Sequence, residues 1–111
     1  MEELREITVD EARTLLDEGA LLLDVREENE WDAGHATDAR HIALSEVPDY
    51  VDSLDKDRLI VTVCRSGKRS ARAGQFLLEQ GFRVVNLDGG MLAWASGDQP
   101  LVGDGAEPSV I

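Results

Sequence analysis

The chain alternates short apolar runs with segments of helical spacing. Thr8-Val9-Asp10-Glu11 reads as a capping box, because the Thr8 hydroxyl and the Glu11 carboxylate can each accept from a backbone N–H left unpaired at a helix start. Val9, Ala12, Leu15 and Leu16 then share one helical face, and Gly19 stands where a C-terminal cap belongs. Ala20-Leu21-Leu22-Leu23 is too short an apolar run for a helix and suits a strand buried on both faces, ending at Asp24. Residues 27–34, polar around Trp31, predict a short helix stopped by Gly34. A short strand is expected over Ala39-Arg40-His41-Ile42, and helical spacing at Val47, Tyr50, Val51 and Leu54 follows.

The β-branched run Leu59-Ile60-Val61-Thr62-Val63 is the clearest strand and ends directly at Cys64. From Ser70, the residues Ala71, Ala73, Phe76, Leu77 and Leu78 predict a helix closed by Gly81. Phe82-Arg83-Val84-Val85-Asn86-Leu87 predicts another strand, followed by Asp88-Gly89-Gly90 and a last helical turn near Trp94. Residues 1–100 are expected to form one domain, and residues 101–111, with Gly103, Gly105 and Pro108, a flexible tail. Strands alternating with helices imply an α/β fold, a mainly parallel sheet with helices on both faces. In such sheets ligands bind beyond the carboxyl ends of the strands. Asp24, Cys64 and Asp88 all fall at such ends.

Composition narrows the chemistry. Eleven basic against 23 acidic side chains give a net charge of -12, which repels phosphate backbones and excludes nucleic acid as a partner. The acidity serves solubility and leaves room for a basic protein partner. No apolar stretch approaches the roughly 18 residues of a membrane span. The polar start Met1-Glu2-Glu3-Leu4-Arg5 does not resemble a secretory signal, so a cytoplasmic location is expected. One cysteine excludes an internal disulfide and a two-thiol redox cycle, and two histidines away from it give no zinc-ligand spacing. No cofactor is implied.

The chemistry concentrates in Cys64-Arg65-Ser66-Gly67-Lys68-Arg69-Ser70, between a strand and a helix. A thiol there faces a helix N-terminus, whose unpaired N–H groups and dipole favour an anion. A tight loop can also turn successive N–H groups inward as an anion-binding nest. Arg65, Lys68, Arg69 and Arg72 add a local positive field to an acidic chain. Each effect favours thiolate, the nucleophilic form. A free cysteine is often no more than a small buried residue. The glycine, the cations and the strand–loop–helix setting favour the reactive reading.

That loop resembles the active-site loop of single-domain rhodanese-family sulfurtransferases. Leu22-Leu23-Asp24-Val25-Arg26-Glu27, with Trp31 and Gly34-His35, resembles the family's first signature, and Asn86-Leu87-Asp88-Gly89-Gly90-Met91-Leu92-Ala93-Trp94 its last. The likeness runs over residues 5 to 100 in the family's order. It implies a five-stranded, mostly parallel sheet flanked by helices. It also implies that Cys64 takes a sulfur from an anion such as thiosulfate and passes it to cyanide or a thiol. Backbone N–H groups from Arg65 to Ser70 would hold the outer sulfur, Lys68 and Arg69 the donor's oxyanion end, and Arg65 either that end or the loop. Gly67 would allow close approach. Asp24 and Arg26 are expected to brace the loop, His35 and His41 to be structural, and Trp31, Phe76 and Trp94 to lie in the core. Where the family commonly has a proline–glycine pair before an alanine, Thr37-Asp38 precede Ala39, which bears on loop conformation rather than activity.

Other readings fit less well. Phosphatases of related architecture carry arginine six positions after the cysteine, whereas here that position is Ser70 and the arginine is Arg69. Ser66-Gly67-Lys68-Arg69 lacks the first glycine and the magnesium-binding hydroxyl of a nucleotide loop. A sulfur carrier or persulfide sensor, loaded by a partner protein, would use the same cysteine.

Overall fold

The computed structural model describes residues 3–105 and 107–111; Met1 and Glu2 of the polar start and Ala106 of the tail lie outside the described residues. The apolar runs pair into one five-stranded sheet of β1 (Arg5–Ile7), β2 (Leu21–Asp24), β4 (Arg40–His41), β5 (Ile60–Val63) and β6 (Val84–Leu87), ordered β1-β6-β5-β2-β4. All four pairings are parallel. β5 therefore sits in the middle, and Cys64 emerges at the centre of the carboxyl edge.

Alternation along each strand divides the core. Leu23, Ile60 and Val84 face α3 (Val47–Tyr50) and α4 (Lys68–Glu79), where Ala73 and Leu77 complete the layer. Leu22, Val61, Val63, Val85 and Leu87 face α1 (Val9–Asp17) and α5 (Gly90–Ser96), packing on Ala12, Met91 and the fully buried Trp94. Both faces are covered, which is why the strands are almost continuously apolar. The Thr8–Glu11 capping box forms as expected, and Gly19 follows the helix with φ 107. No helix among the described residues is long and apolar enough to cross a membrane.

Four local expectations change. α4 begins at Lys68 rather than Ser70, because Gly67 is already its N-cap. β1 carries one buried residue in three, too little alternation to stand out before β6 pairs with it. Asp38, where the family's glycine would stand, takes φ 68, a left-handed conformation that aspartate tolerates better than most side chains.

The fourth concerns the tail, which pairs with the body of the domain. Leu101–Val102 form β7, antiparallel to β3 (His35–Ala36). Asp104 N–H and Ser109 N–H then donate to the carbonyls of Asp32 and Ala33. Those carbonyls belong to the last turn of α2 (Glu28–Ala33), which a helix by itself leaves unpaired. Val110 adds apolar contact against the α1/α5 layer. A polar, glycine-rich segment thus pairs by supplying donors that another element lacks.

Candidate active site

Cys64 is 1% exposed and leaves the central strand directly into the turn before α4. Gly67 N–H donates to its Sγ at 3.1 Å, and the Ser70 hydroxyl lies 3.4 Å from the same sulfur. Burial pushes the Cys64 thiol up, but the Ser70 hydroxyl and the N–H groups of Ser70, Gly67 and Ser66 outweigh it and hold the thiol below its ordinary value. Gly67 closes this turn with φ 107 and ψ -11, a left-handed conformation costly for a side-chain-bearing residue.

The loop is fixed from two sides. From α5, Met91 N–H donates to the Cys64 carbonyl at 2.7 Å and Leu92 N–H to the Arg65 carbonyl at 3.1 Å. Gly90 makes this possible, since a Cβ there would run into the Cys64 and Arg65 carbonyl oxygens. Trans peptides hold C=O and N–H on opposite sides, so pinning these carbonyls toward α5 turns the next N–H groups away from it. From the sheet, the Asn86 amide donates to the Gly67 carbonyl at 3.0 Å. The result is a fixed turn that sets the Gly67 N–H and the Ser70 hydroxyl on one sulfur.

The family model for the rhodanese-like domain matches residues 8–97. The chain belongs to the rhodanese-like domain family. YtwF of Bacillus subtilis (strain 168) is 44% identical over 84 residues, covering 76% of this chain and 82% of its own. The thiosulfate sulfurtransferase GlpE of Pseudomonas fluorescens (strain SBW25) is 34% identical, covering 85% of this chain and 87% of that protein. A crystal structure of a rhodanese-like domain protein from Staphylococcus aureus superposes with TM-score 0.82 at 34% identity, covering 92% of this chain and all of that one. Membership and the names of such relatives support sulfurtransferase activity in the general sense.

Within this rhodanese-like domain the charged residues divide. Lys68 is exposed and forms no ion pair among the described residues. Arg65 is exposed and donates from Nε to the Ile111 carbonyl at 3.0 Å, so the docked tail reaches the loop. Both arms of Arg69 grip Glu30 of α2, at 2.7 and 2.9 Å. The Arg69 hydrogen bond holds the Glu30 carboxyl down, to about 2, against desolvation. In turn Glu30 keeps Arg69 firmly protonated, with the charge of Cys64 adding to the effect.

Asp24 and Arg26 pair with each other, fully buried, and Arg26 Nη2 also donates to the Gly34 carbonyl at 2.8 Å. They brace the β2–α2 connection and make no direct hydrogen bond to loop 64–70. His35 and His41 both stack on Trp31, at ring-centroid distances of 3.5 and 4.9 Å. Each also lies 2.7 Å from a backbone carbonyl, of Trp31 and Arg26 respectively. Asp88 follows β6 directly and is exposed. No group of three or more His, Cys, Asp or Glu among the described residues could hold a metal ion.

Sequence reasoning missed Glu30 and Asn86. Glu30 carries only a helix-start signal, the capping box it forms with Glu27. Asn86 could have been singled out as a polar residue inside an apolar strand, beside Thr62 in the same position of β5.

Proposed function

We propose that this rhodanese-like domain moves a sulfane sulfur from an anionic donor such as thiosulfate to a nucleophilic acceptor, cyanide or a thiol, through a persulfide on Cys64. The observation that carries the proposal is the single buried sulfur held by N–H and O–H donors at the mouth of a helix. The Cys64 thiolate attacks the outer sulfur of the donor. The donor's S–S bond breaks, its electron pair leaves on sulfite, and Cys64 carries the persulfide. An acceptor then attacks the outer sulfur and the Cys64 thiolate departs with the electrons of the new S–S bond. A thiolate already stabilised by the loop needs no histidine base.

The N–H groups of residues 65–70 support the outer sulfur, and the exposed ammonium of Lys68 draws the donor's oxyanion end. Arg69 adds field from its place beside Glu30, and Arg65 contributes once its Nε is not held by the tail. The thiosulfate sulfurtransferase name of the GlpE relative supports this choice of donor.

The test is the intact mass of reduced protein before and after thiosulfate, with Cys64→Ser alongside. One sulfur gained, absent in Cys64→Ser and removed by cyanide, is expected. Turnover retained by Cys64→Ser would sink the mechanism. No gain from thiosulfate but a gain from a protein persulfide would replace it with the carrier reading, in which the acidic surface meets a basic partner.

A further inference from the structure

Beneath the first turn of α4 the apolar face of the sheet is interrupted by a row of polar side chains. Glu6 on β1, Asn86 on β6 and Thr62 on β5 are direct cross-strand neighbours. Asn86 is 1% exposed and Thr62 fully buried. Burying such groups is unfavourable unless every donor and acceptor is matched. Here they are matched in one direction only. The Thr62 hydroxyl donates to Asn86 Oδ1 at 3.0 Å. Asn86 Nδ2 has two hydrogens, one for the Glu6 carboxylate at 3.0 and 3.1 Å and one for the Gly67 carbonyl at 3.0 Å. A flipped amide would set its oxygen against the Glu6 carboxylate and the Gly67 carbonyl, so these two fix which way it faces, and the Thr62 hydroxyl, which also has the Val85 carbonyl at 3.4 Å, supports that orientation by donating to Oδ1.

The Gly67 carbonyl that Asn86 holds belongs to the turn that serves Cys64. Gly67 N–H is bonded to Sγ, and the same residue's carbonyl also accepts from Ala71 N–H at 3.1 Å, the first backbone bond of α4, and from the Ser70 hydroxyl at 3.2 Å. That hydroxyl has a single proton, which it shares between Sγ and the Gly67 carbonyl. An Asn86 hydrogen bond on the carbonyl lessens its demand for the Ser70 proton and leaves it for the sulfur. Because the following peptide is trans and planar, the Asn86 amide and the Ala71 N–H, by holding the carbonyl, together turn Lys68 N–H to the other side of the loop.

We infer that Asn86, oriented by Glu6 and Thr62, is a positioning residue that sets the acidity of Cys64 through the Gly67 peptide. It touches neither the sulfur nor a donor. Its influence travels through the orientation of the Gly67 backbone and the proton of Ser70. The inference rests on the reading of Cys64 as the reacting thiol, but its test needs no sulfur donor.

The experiment is the rate of Cys64 alkylation by iodoacetamide across pH, followed by intact mass, for wild type, Asn86→Ala and Thr62→Val. Asn86→Ala is expected to move the midpoint of the profile upward by about one pH unit, with alkylation roughly tenfold slower below it. Thr62→Val, which leaves the amide in place but removes the donor to its Oδ1, should move the midpoint the same way by less. A cooperatively folded Asn86→Ala with a wild-type profile overturns the inference. Should Asn86→Ala not fold, a wild-type profile in folded Thr62→Val overturns it instead. If wild type accepts no sulfur from any donor while the profiles shift as expected, the proposed function fails and the positioning role stands.

Discussion

Two arginine–carboxylate pairs flank α2, alike in chemistry and unlike in depth. Asp24 and Arg26 are both 0% exposed in their side chains, whereas Glu30 and Arg69 are 12% and 35% exposed. The buried pair stands on residues two apart in one chain segment, and the Arg26 Nε–H, shared between both oxygens, its Nη2 and its backbone N–H all donate to the Asp24 carboxylate. Arg26 Nη1 is nevertheless buried without a protein partner among the described residues. The half-exposed pair joins residues 39 apart and ties α2 to the first turn of α4, beside the thiol. Depth thus separates a bracing role from a role near chemistry. A charge that assists an anionic substrate must stay close to water, while one that locks a connection can be dehydrated if its partner is complete.

Breaking the buried pair should have the larger effect. Arg26→Met leaves Asp24 without its guanidinium in a dry site, and a loss of about 3–5 kcal/mol in unfolding free energy is expected from urea titration. Adding Asp24→Leu to Arg26→Met should recover part of that loss, because the stranded charge goes too. No recovery would mean that the Gly34 contact, rather than the stranded carboxylate, dominates.

The exposed cations should speak in kinetics. Lys68→Ala is expected to raise the KM for thiosulfate several-fold at low salt, and less at high salt, where exposed charges are screened. Arg69→Ala should raise it less, because Glu30 already offsets that charge. Equal effects at every ionic strength would remove both from the donor site.

The smallest effect separates the pairs by pH. Glu30→Gln should cost about 1 kcal/mol at neutral pH, discounted for the exposure of Arg69. The Glu30 carboxyl is held below its ordinary 4.5, so the ion pair stabilises fully above that value and is lost as pH falls toward about 2. The stability gap between wild type and Glu30→Gln should therefore be flat from neutrality down to about 4.5 and close by about 2. A gap that widened on acidification would contradict the pairing.

Much of this was legible along the chain. The capping box at Thr8, the β5 run ending at Cys64, and Gly67 as the turn before α4 are local signals, each contained in a few consecutive residues. The nearness of Asn86 to the loop was not, although a polar side chain in the middle of Val84-Val85-Asn86-Leu87 marked it as unusual. The tail misled for the opposite reason. Its two glycines and one proline signal irregular backbone correctly, but irregular backbone can still pair when its N–H groups meet waiting carbonyls.

By itself, then, the sequence determined the alternation of β2, β4, β5 and β6 with helices, the two-faced burial of the central strands and the cysteine at a strand–helix turn. These follow from periodicity and turn chemistry, which act over one or two turns of chain. Only the tertiary structure decided that Arg69 meets Glu30, that the tail reaches Arg65, and that Glu6 and Asn86, 80 residues apart, orient the Gly67 peptide. Hydrogen bonds and ion pairs act over a few ångströms in space whatever the separation in sequence. Which partners come that close is set by the strand order β1-β6-β5, and strand order is a property of the packed sheet.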